Sequence, residues 1–280
     1  MIFRKLVYED LSYIYSWLDE DDYLRRGVLD EYVKKGLGYG IEVDRKIEAI
    51  GLINLIKELR YAWLLGARVR REMRRRGLGE FLTRRLIEES IRLGAQRVAL
   101  STSLDNKAVI RIAEKIGMRN PVSIIMYRLR TEYLTSYPTG LIAEGDLIDL
   151  VEKIVYSEDH YIIFIEHPYV WIPVKIINLK DLVYKDLVTI CVSKDLDAIT
   201  FVYKDDRGRS WTHIVRSSVV SSSYESIKTC SEIMSLDSFN GIILISNRSV
   251  LWDHYIKNIG SRDYEWGFHI FDYQQDISQF

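Results

Sequence analysis

The sequence predicts a chain of two α/β domains, of which the first is built on a mixed, mostly antiparallel sheet flanked by helices. Strand-like runs dominate the chain up to Val69, and strand and helix periodicities then alternate as far as Leu129. The 280 residues, 48% of them hydrophobic, suffice for two cores. A connector containing proline and glycine follows the first domain, so we place the domains at residues 1–130 and 141–280.

The first domain is predicted to open with a strand, two helices and a meander of three strands. Apolar residues alternate in the first run and recur at helical spacing in the next two segments, the second of which ends before Gly36. Three further apolar runs are separated by short polar turns, as in an antiparallel meander. The expected elements are the strand Ile2–Val7, helices from Glu9 to Leu18 and from Asp22 to Lys35, and the strands Tyr39–Val43, Ile47–Ile56 and Tyr61–Val69.

The remaining elements alternate between helix and strand. Apolar residues at helical spacing begin at Leu78, and the next run is short and β-branched. Either Asp105 or Asn106 can cap the following helix. The expected elements are a helix from Leu78 to Gly94, the strand Arg97–Ser101, the helix Ala108–Ile116 and the strand Val122–Leu129.

The second domain is predicted to repeat part of this order. Its last four elements run helix, strand, helix, strand, as do those between Leu78 and Leu129. We therefore predict a degenerate duplication of the first domain. The expected elements are the helix Leu141–Val155, the strands Tyr161–Ile165, Tyr169–Ile177, Ile199–Tyr203 and Trp211–Arg216, the helix Tyr224–Met234, the strand Gly241–Ser246, the helix Ser249–Ile259 and the strand Trp266–Tyr273.

Composition sets limits on partners and location. The formal net charge of −1 gives no global reason to bind nucleic acid or membrane. Arg4 and Lys5 interrupt the amino terminus before any apolar run long enough for a signal peptide, and the apolar stretch Tyr161–Ile172 contains Glu166. We expect a cytoplasmic protein without a membrane segment.

The cysteine content argues against a metal site. Cys191 and Cys230 are the only cysteines, and no cluster of histidines accompanies them, so the four ligands of a structural zinc site are lacking. We expect no metal. In a cytoplasmic protein the two cysteines are expected as separate small buried side chains, with a disulfide between them as the alternative.

One segment carries a concentration of charge that the rest of the chain lacks. Six of the nine residues from Arg68 to Arg76 are arginines, and the run lies between a predicted strand and the helix that begins at Gly77-Leu78-Gly79. Glycines let backbone N–H groups converge, and a helix start adds unpaired N–H groups and a positive dipole end. This pattern indicates a pyrophosphate site. Binding of RNA or DNA is the disfavoured alternative, because no aromatic residues interleave the arginines.

The segment Arg74-Arg75-Arg76-Gly77-Leu78-Gly79 resembles the defining motif of the GNAT acetyltransferase superfamily, Arg/Gln-x-x-Gly-x-Gly/Ala. Val69 stands five residues before Arg74, as in that family, and Asn106 and Gly117 keep the family's eleven-residue interval. The resemblance covers about residues 1–129. It implies the GNAT fold for the first domain and makes the second a degenerate GNAT-like domain that lacks the cofactor motif.

The resemblance implies an N-acetyltransferase in which acetyl-CoA is the cofactor and a primary amine attacks the thioester directly. The strand ending at Val69 would splay from the strand Arg97–Ser101, which exposes backbone groups to the pantetheine arm and to the thioester oxygen. The acceptor amine, on a small molecule or a protein, is not resolved by the sequence. The cofactor-binding residues implied are Arg68, Val69, Arg74, Arg75, Arg76, Gly77, Leu78, Gly79, Glu80 and Asn106.

Two catalytic positions depart from the family pattern. Ala113 stands where many members have a tyrosine that protonates the leaving thiolate, and Trp63 stands where some have a glutamate base. We rank Glu42 as base and Ser103 as acid, with Glu48 and Tyr127 as alternatives. A catalytically weak acetyl-CoA-binding module is the alternative function, and the second domain is expected to assist acceptor recognition or to form a homodimer face.

Overall fold

The computed structural model describes residues 1–128, 134–157, 160–163, 170–204, 210–233, 242–256 and 264–274. These residues form two compact units. The first unit comprises Met1–Arg119 and Phe271–Phe280, and the second unit comprises Asn120–Ile270. The strand predicted from Val122 therefore lies in the second unit, whereas the sequence analysis grouped it with the first.

The first unit contains nearly all the predicted elements in the predicted order. The second helix is shorter than expected, because a 3₁₀ turn at Tyr23–Arg25 and the left-handed Gly27, with φ of 86°, precede its start at Val28. The elements are β1 (Ile2–Lys5), α1 (Tyr8–Trp17), α2 (Val28–Lys34), β2 (Gly38–Val43), β3 (Lys46–Ile56), β4 (Tyr61–Val69), α3 (Leu78–Arg92), β5 (Arg97–Ser103) and α4 (Lys107–Lys115).

The sheet of the first unit is mixed and carries helices on both faces. β1 to β4 pair in antiparallel sequence, and β5 pairs parallel to β4. Helices α3 and α4 share one core with residues such as Ile53 and Leu82, while α1 and α2 share another with residues such as Ile50 and Leu52. This arrangement confirms the predicted fold class, a mixed α/β sheet flanked by helices.

The sixth strand of the first unit comes from the end of the chain. The last strand, β14 (Tyr264–Gln274), neighbours β5, and its Phe271 is buried in the core shared with α3 and α4. The guanidinium of Arg97 forms an ion pair with the Asp272 carboxylate, and the two side chains are only 9% and 7% exposed. Residues more than 150 positions away in the sequence therefore complete this core.

The second unit contains two elements that the sequence analysis missed and one that it misassigned. The predicted helix Leu141–Val155 is wrong at its start, because Leu141–Ile142 forms a strand and the helix begins after Gly145. The missed elements are α6 and β10. The elements are β6 (Arg119–Arg128), β7 (Leu141–Ile142), α5 (Asp146–Tyr156), β8 (Tyr161–Ile163), β9 (Trp171–Pro173), α6 (Leu179–Tyr184), β10 (Val188–Val192), β11 (Ile199–Lys204), β12 (Ser210–Arg216), α7 (Val220–Ile233), β13 (Ile242–Ser246), α8 (Leu251–Ile256) and the first part of β14.

Some predicted segments cannot be compared with the structure. The predicted residues that lie outside the described ones are Leu129, residues 164–165 and 169 of two predicted strands, Met234, Gly241 and residues 257–259 of the last predicted helix. The other residues of these elements are found in strands or helices, apart from a 3₁₀ turn at Val174–Ile176 and from Val170, Ile177, Ser249 and Val250, which lie outside the strands and helices.

The strand order of the second unit repeats that of the first. β7, β10, β11 and β12 pair in antiparallel sequence, and β13 pairs parallel to β12. β6 lies antiparallel to β13, in the position that the end of β14 takes beside β5. Each unit thus takes its sixth strand from the sequence of the other half.

The two cysteines are joined. Cys191 in β10 and Cys230 in α7 form a disulfide with a Cα–Cα distance of 5.8 Å, and both are fully buried. The expectation of two separate thiols is therefore wrong. That expectation assumed the reducing conditions of the cytoplasm. The packing of α7 against β10 instead brings the two side chains within bonding distance.

Two further features concern membranes and metals. Within the described ranges, no helix combines the length and the apolar character that crossing a bilayer requires. Among the same residues, no three His, Cys, Asp or Glu side chains are grouped as a metal site would need.

Candidate functional site

A cleft opens between the two parallel strands of the first unit. β4 and β5 pair only over their first halves, from Tyr61 opposite Arg97 to Leu64 opposite Leu100. Beyond this point the described pairing between them stops, so Leu65–Val69 and Ser101–Ser103 each present an edge to the cleft. This is the splayed pair that the sequence resemblance implied.

A β-bulge in β4 lies beside this cleft. Gly66 and Ala67 together oppose the single residue Gly51, and Gly66 has φ of +64°. A Cβ atom at Gly66 would lie 2.9 Å from Cδ2 of Leu24, so a side chain fits neither the backbone nor the space. The sequence analysis missed this bulge, although an isolated glycine within a strand pattern is its usual signal.

The loop after β4 forms a cradle of backbone amides. Arg75 and Gly77 adopt left-handed conformations, with φ of 63° and 81°, and α3 begins at Leu78. Alternating backbone conformations of this kind turn successive N–H groups toward one concavity. Gly77 caps α3 without a side-chain hydrogen bond, so the first-turn N–H groups have no side-chain acceptor among the described residues.

The second glycine of the cradle lets helices approach closely. A Cβ atom at Gly79 would lie 3.2 Å from Cδ1 of Ile112 in α4 and 3.8 Å from Cγ2 of Val69. Leu78 is 3% exposed and packs into the core. The start of α3 is therefore held against α4 and against the end of β4.

Arg68 is committed to an ion pair within the first unit. Its Nε lies 2.7 Å from Oδ2 of Asp22, and its guanidinium stacks over the Tyr23 ring at 5.5 Å. Asp22 is 6% exposed. This pair fixes the segment between α1 and α2 to β4.

Arg70 belongs to a half-buried cluster that the sequence did not predict. Its Nη1 donates to the Tyr13 hydroxyl at 2.6 Å and to Oε1 of Glu48 at 3.2 Å, and its Nε lies 2.9 Å from Glu72. The Tyr13 hydroxyl also donates to Glu48 at 3.2 Å, and burial raises the pKa of that hydroxyl. Glu48 is 5% exposed. The cluster joins α1 and β3 to the end of β4.

The other arginines of the run face solvent. Arg74 donates through Nε to the carbonyl oxygen of Val69 at 3.1 Å. Arg71, Arg75 and Arg76 are exposed and form no ion pair with any described residue. Four exposed positive charges therefore lie in the segment that leads into the amide cradle.

The side chain of Glu80 is held away from the cradle. Lys115 Nζ lies 2.6 Å from its Oε2, and Arg84 Nη2 lies 3.2 Å from Oε1. Hydrogen bonding to Lys115 lowers the pKa of the Glu80 carboxyl. Only the backbone N–H of Glu80 faces the cradle as part of the first helical turn.

Two predicted residues lie at the far end of β5. Asn106 caps α4, since its Oδ1 accepts from the N–H of Val109 at 3.3 Å. The Ser103 hydroxyl donates to Oδ1 of Asp105 at 2.6 Å and is half-buried. Ser103 ends β5 and Asn106 follows it, so both residues lie beyond the point where the described pairing of β5 with β4 stops.

The two carboxylates ranked as candidate bases lie in different surroundings. Glu42 is on β2, where Arg4 Nε lies 2.6 Å from its Oε2, and the same guanidinium binds Asp10 at 2.8 Å. Hydrogen bonding to Asp10 raises the pKa of Arg4 above its usual range. Glu48 is on β3, and its carbonyl oxygen accepts from the N–H of Arg70 at 2.9 Å. Glu48 therefore adjoins the end of β4, while one strand separates Glu42 from it.

The positions that departed from the family pattern are both buried. Ala113 is fully buried in the core between α3 and α4, and Trp63 on β4 is 3% exposed. A tyrosine at Ala113 would have to enter this core.

Together these features define a class of protein: an α/β domain with a cleft between two splayed parallel strands and an amide cradle that follows a run of arginines. Residues 4–118 match the model of the acetyltransferase (GNAT) family. A search of curated proteins gives no match.

Three solved structures are similar to this chain. A candidate acetyltransferase from Thermoplasma acidophilum is 15% identical and aligns over 98% of this chain and 100% of its own, with a TM-score of 0.53. A GCN5-related N-acetyltransferase from Sphaerobacter thermophilus is 15% identical over 98% of this chain and 95% of its own, with a TM-score of 0.49. The ribosomal-protein-S18-alanine N-acetyltransferase from Escherichia coli is 20% identical over 49% of this chain and 84% of its own, with a TM-score of 0.39. At these identities the likeness concerns the fold alone.

The first unit of this chain belongs to the GNAT acetyltransferase family and is an N-acetyltransferase domain. Members of the family act on amine acceptors and generally use acetyl-CoA as the acetyl donor.

Proposed function

We propose that the first unit transfers an acetyl group from acetyl-CoA to a primary amine, which attacks the thioester directly without a covalent enzyme intermediate. The observation that carries the proposal is the open amide cradle at the start of α3, which adjoins the splayed edges of β4 and β5. Acetyl-CoA supplies an activated acetyl group and an anionic pyrophosphate, which suit the cleft and the cradle respectively.

The pyrophosphate is held by backbone and arginine groups. The N–H groups of Gly77, Leu78, Gly79 and Glu80 provide directed donors and the positive end of the α3 dipole. Arg71 and Arg74–Arg76 add charge-assisted hydrogen bonds. Arg68 is excluded from the groups proposed to hold the pyrophosphate, because Asp22 already neutralises its charge.

The cleft orients the reactive end of the donor. The unpaired edge of β4 near the bulge and Val69 offers backbone N–H groups to the pantetheine amides and to the thioester oxygen. A hydrogen-bond donor aimed at the oxygen on which negative charge develops typically lowers the activation barrier by about 3 kcal/mol. Asn106 fixes the end of the cleft by capping α4.

Glu48 is proposed as the proton acceptor, with Glu42 as the alternative. Glu48 is favoured as the proton acceptor because it adjoins the end of β4. Tyr13 also links its carboxylate to the α1 side of the sheet. Ser103 remains the proposed donor to the leaving thiolate, because its hydroxyl lies at the open end of β5.

Replacing each candidate base in turn shows which of the two carboxylates accepts the proton. Glu48→Gln keeps hydrogen-bonding groups for Tyr13 and Arg70 but cannot accept the proton, so kcat should fall about a hundredfold. Glu42→Gln is the matched variant and should leave kcat unchanged. Steady-state kinetics over a pH series checks both. A large loss in Glu42→Gln alone would reverse the assignment.

Replacing the first cradle glycine tests cofactor binding. Gly77→Val forces a β-branched residue into a left-handed conformation, which should displace the amide cradle and weaken acetyl-CoA binding at least tenfold, about 1.4 kcal/mol. Isothermal titration calorimetry measures the affinity.

A matched control exists in the same unit. Gly27 precedes α2 with φ of 86° and ψ of −5°, and Gly77 precedes α3 with φ of 81° and ψ of −4°. A Cβ atom meets nothing within 4 Å at either residue. Gly27→Val carries the same backbone strain outside the cradle and should keep wild-type affinity. Equal affinities for folded Gly77→Val and wild type would refute the cradle.

The competing functions predict different measurements. A catalytically weak binding module would hold acetyl-CoA but release no CoA thiol with any amine of a panel of polyamines, lysine and peptide amino termini. A nucleic-acid-binding run would show strong salt-dependent binding to RNA or DNA. Thiol release with one class of amine supports the proposed transfer and identifies the acceptor class.

We propose that the second unit is a degenerate GNAT-like domain. The support is the strand order β7-β10-β11-β12-β13, which repeats β1-β2-β3-β4-β5 with the same directions. Its roles remain those proposed from the sequence, assistance to acceptor recognition or a homodimer face. A cytoplasmic location also stays a proposal, and the disulfide Cys191–Cys230 is uncommon in mesophilic cytosol.

A further inference from the structure

We infer that Asp197 occupies, in the second unit, the place that the pyrophosphate takes in the first, so that the second unit carries its own anion in a closed vestigial site. The inference rests on the proposed GNAT-like repeat. Three sets of contacts carry it: those at the start of α7, those in the turn between β10 and β11, and those after the end of β12.

The Asp197 carboxylate lies on the start of α7. Its Oδ2 accepts from the N–H groups of Ser218 at 2.9 Å and Val219 at 2.8 Å, and the Ser218 hydroxyl donates to Oδ1. α7 begins at Val220, so the negative charge sits at the positive end of the helix. By strand order, α7 corresponds to α3, whose first-turn N–H groups donate to no such carboxylate among the described residues.

The length of one turn explains this difference. In the first unit Val43 pairs with Lys46, so only Asp44 and Arg45 join β2 to β3. In the corresponding hairpin of the second unit Val192 pairs with Ile199, which leaves the turn residues 193–198. The longer turn brings an acidic side chain over the helix start.

Further contacts anchor the longer turn to α7. Oδ2 of Asp195 accepts from the Ser222 hydroxyl at 2.7 Å, and the N–H of Lys194 donates to Glu225 at 2.9 Å. The Ser193 hydroxyl donates to Asp195 and accepts from the N–H of Ala198. Hydrogen bonds from hydroxyl groups lower the pKa of the Asp195 carboxyl. The turn is therefore fixed with its charge in place.

The slot corresponding to the β4–β5 cleft is also closed. After the last pair of β12 and β13, a further parallel bridge joins Ser217 to Ser249. The N–H of Val250 donates to the carbonyl of Ser217 at 2.9 Å, and the two serine hydroxyls are 2.7 Å apart. The Ser223 hydroxyl donates to Ser217 at 2.7 Å. The edges that diverge in the first unit meet here.

The connection between strand and helix is correspondingly short. Residues 217–219 join β12 to α7, where residues 70–77 join β4 to α3. No arginine or glycine lies in the short connection. An internal carboxylate satisfies the amides at the helix start that an external phosphate would otherwise satisfy.

Anion rescue tests the assignment of Asp197. Asp197→Ala should lower the melting temperature of the second unit on the order of 5 °C, and sodium formate or sulfate should restore much of it relative to chloride at equal ionic strength. Asp195→Ala is the matched control from the same turn. The Asp195 carboxylate accepts hydrogen bonds from hydroxyl groups and from the N–H of Asp197. These anions should therefore not restore the melting temperature of Asp195→Ala.

The melting temperatures of the Asp197 variants decide whether this carboxylate occupies the place of the pyrophosphate. A wild-type melting temperature for Asp197→Ala, or equal responses to formate, sulfate and chloride, overturns the assignment. If the alanine variant does not fold, Asp197→Ser takes its place, because its short neutral side chain also leaves room for an anion, and the same anion response is expected. Acetyl-CoA titration addresses the underlying repeat: one site per wild-type chain is expected, and two sites would refute the degenerate domain whatever the rescue shows.

Discussion

Asp272→Ala should lower the free energy of unfolding of the first unit by about 3–5 kcal/mol, because it removes the buried carboxylate that forms an ion pair with the Arg97 guanidinium. Asp272 follows Phe271, which packs in the core with α3 and α4. Denaturant unfolding and the temperature dependence of acetyl-CoA binding measure the loss. Because Asp272 lies on the last strand, the variant should reduce the thermal stability of the acetyltransferase unit.

Two controls distinguish this effect from charge removal in general. Glu88→Ala breaks the pair with Arg85, whose side chains are 44% and 58% exposed, and should change stability by less than about 1 kcal/mol. The double variant Arg97→Met, Asp272→Leu removes both buried charges and should recover most of the stability. A loss below about 1 kcal/mol in Asp272→Ala would contradict the role of the carboxyl-terminal strand.

Removing the disulfide should have a comparable effect on the second unit. Cys191 and Cys230 have a sequence separation of 39 residues. Closing a loop of this length lowers the entropy of the unfolded chain and raises its free energy by about 4 kcal/mol. The double variant Cys191→Ala, Cys230→Ala should therefore unfold at a markedly lower denaturant concentration. Both cysteines lie outside the proposed cofactor residues, so acetyl-CoA affinity below the transition should persist.

The reduced wild-type protein provides the comparison for this variant. A strong reductant during unfolding should lower the wild-type midpoint toward that of the double variant and leave the variant unchanged. Identical wild-type midpoints with and without reductant would show that the disulfide does not contribute to stability.

The local features of the site could be predicted from the sequence. The motif Arg74–Gly79, its place between a strand and a helix, and the cap at Asn106 all depend on residues within a few positions of one another. Glycine permits left-handed φ at Gly77, and apolar periodicity sets the start of α3. These preferences act over a single turn, so the sequence alone predicts the fold class and the cradle.

The charges of the site could not be assigned in the same way. Arg68 and Arg70 belong to the same run as Arg74, yet Arg68 pairs with Asp22 and Arg70 pairs with Glu48. Neither partner is adjacent in sequence. Ion pairing depends on which side chains meet across strands and helices, and periodicity carries no information about that.

The sequence by itself determined the acetyltransferase resemblance, the elements of the first unit and the absence of a cradle motif in the second. Tertiary structure alone decided that the end of β14 completes the first unit, that Cys191 meets Cys230, and that Asp197 reaches the start of α7. Helix and strand propensities are local, whereas these pairings join residues far apart along the chain, and only the free energy of the assembled core selects them.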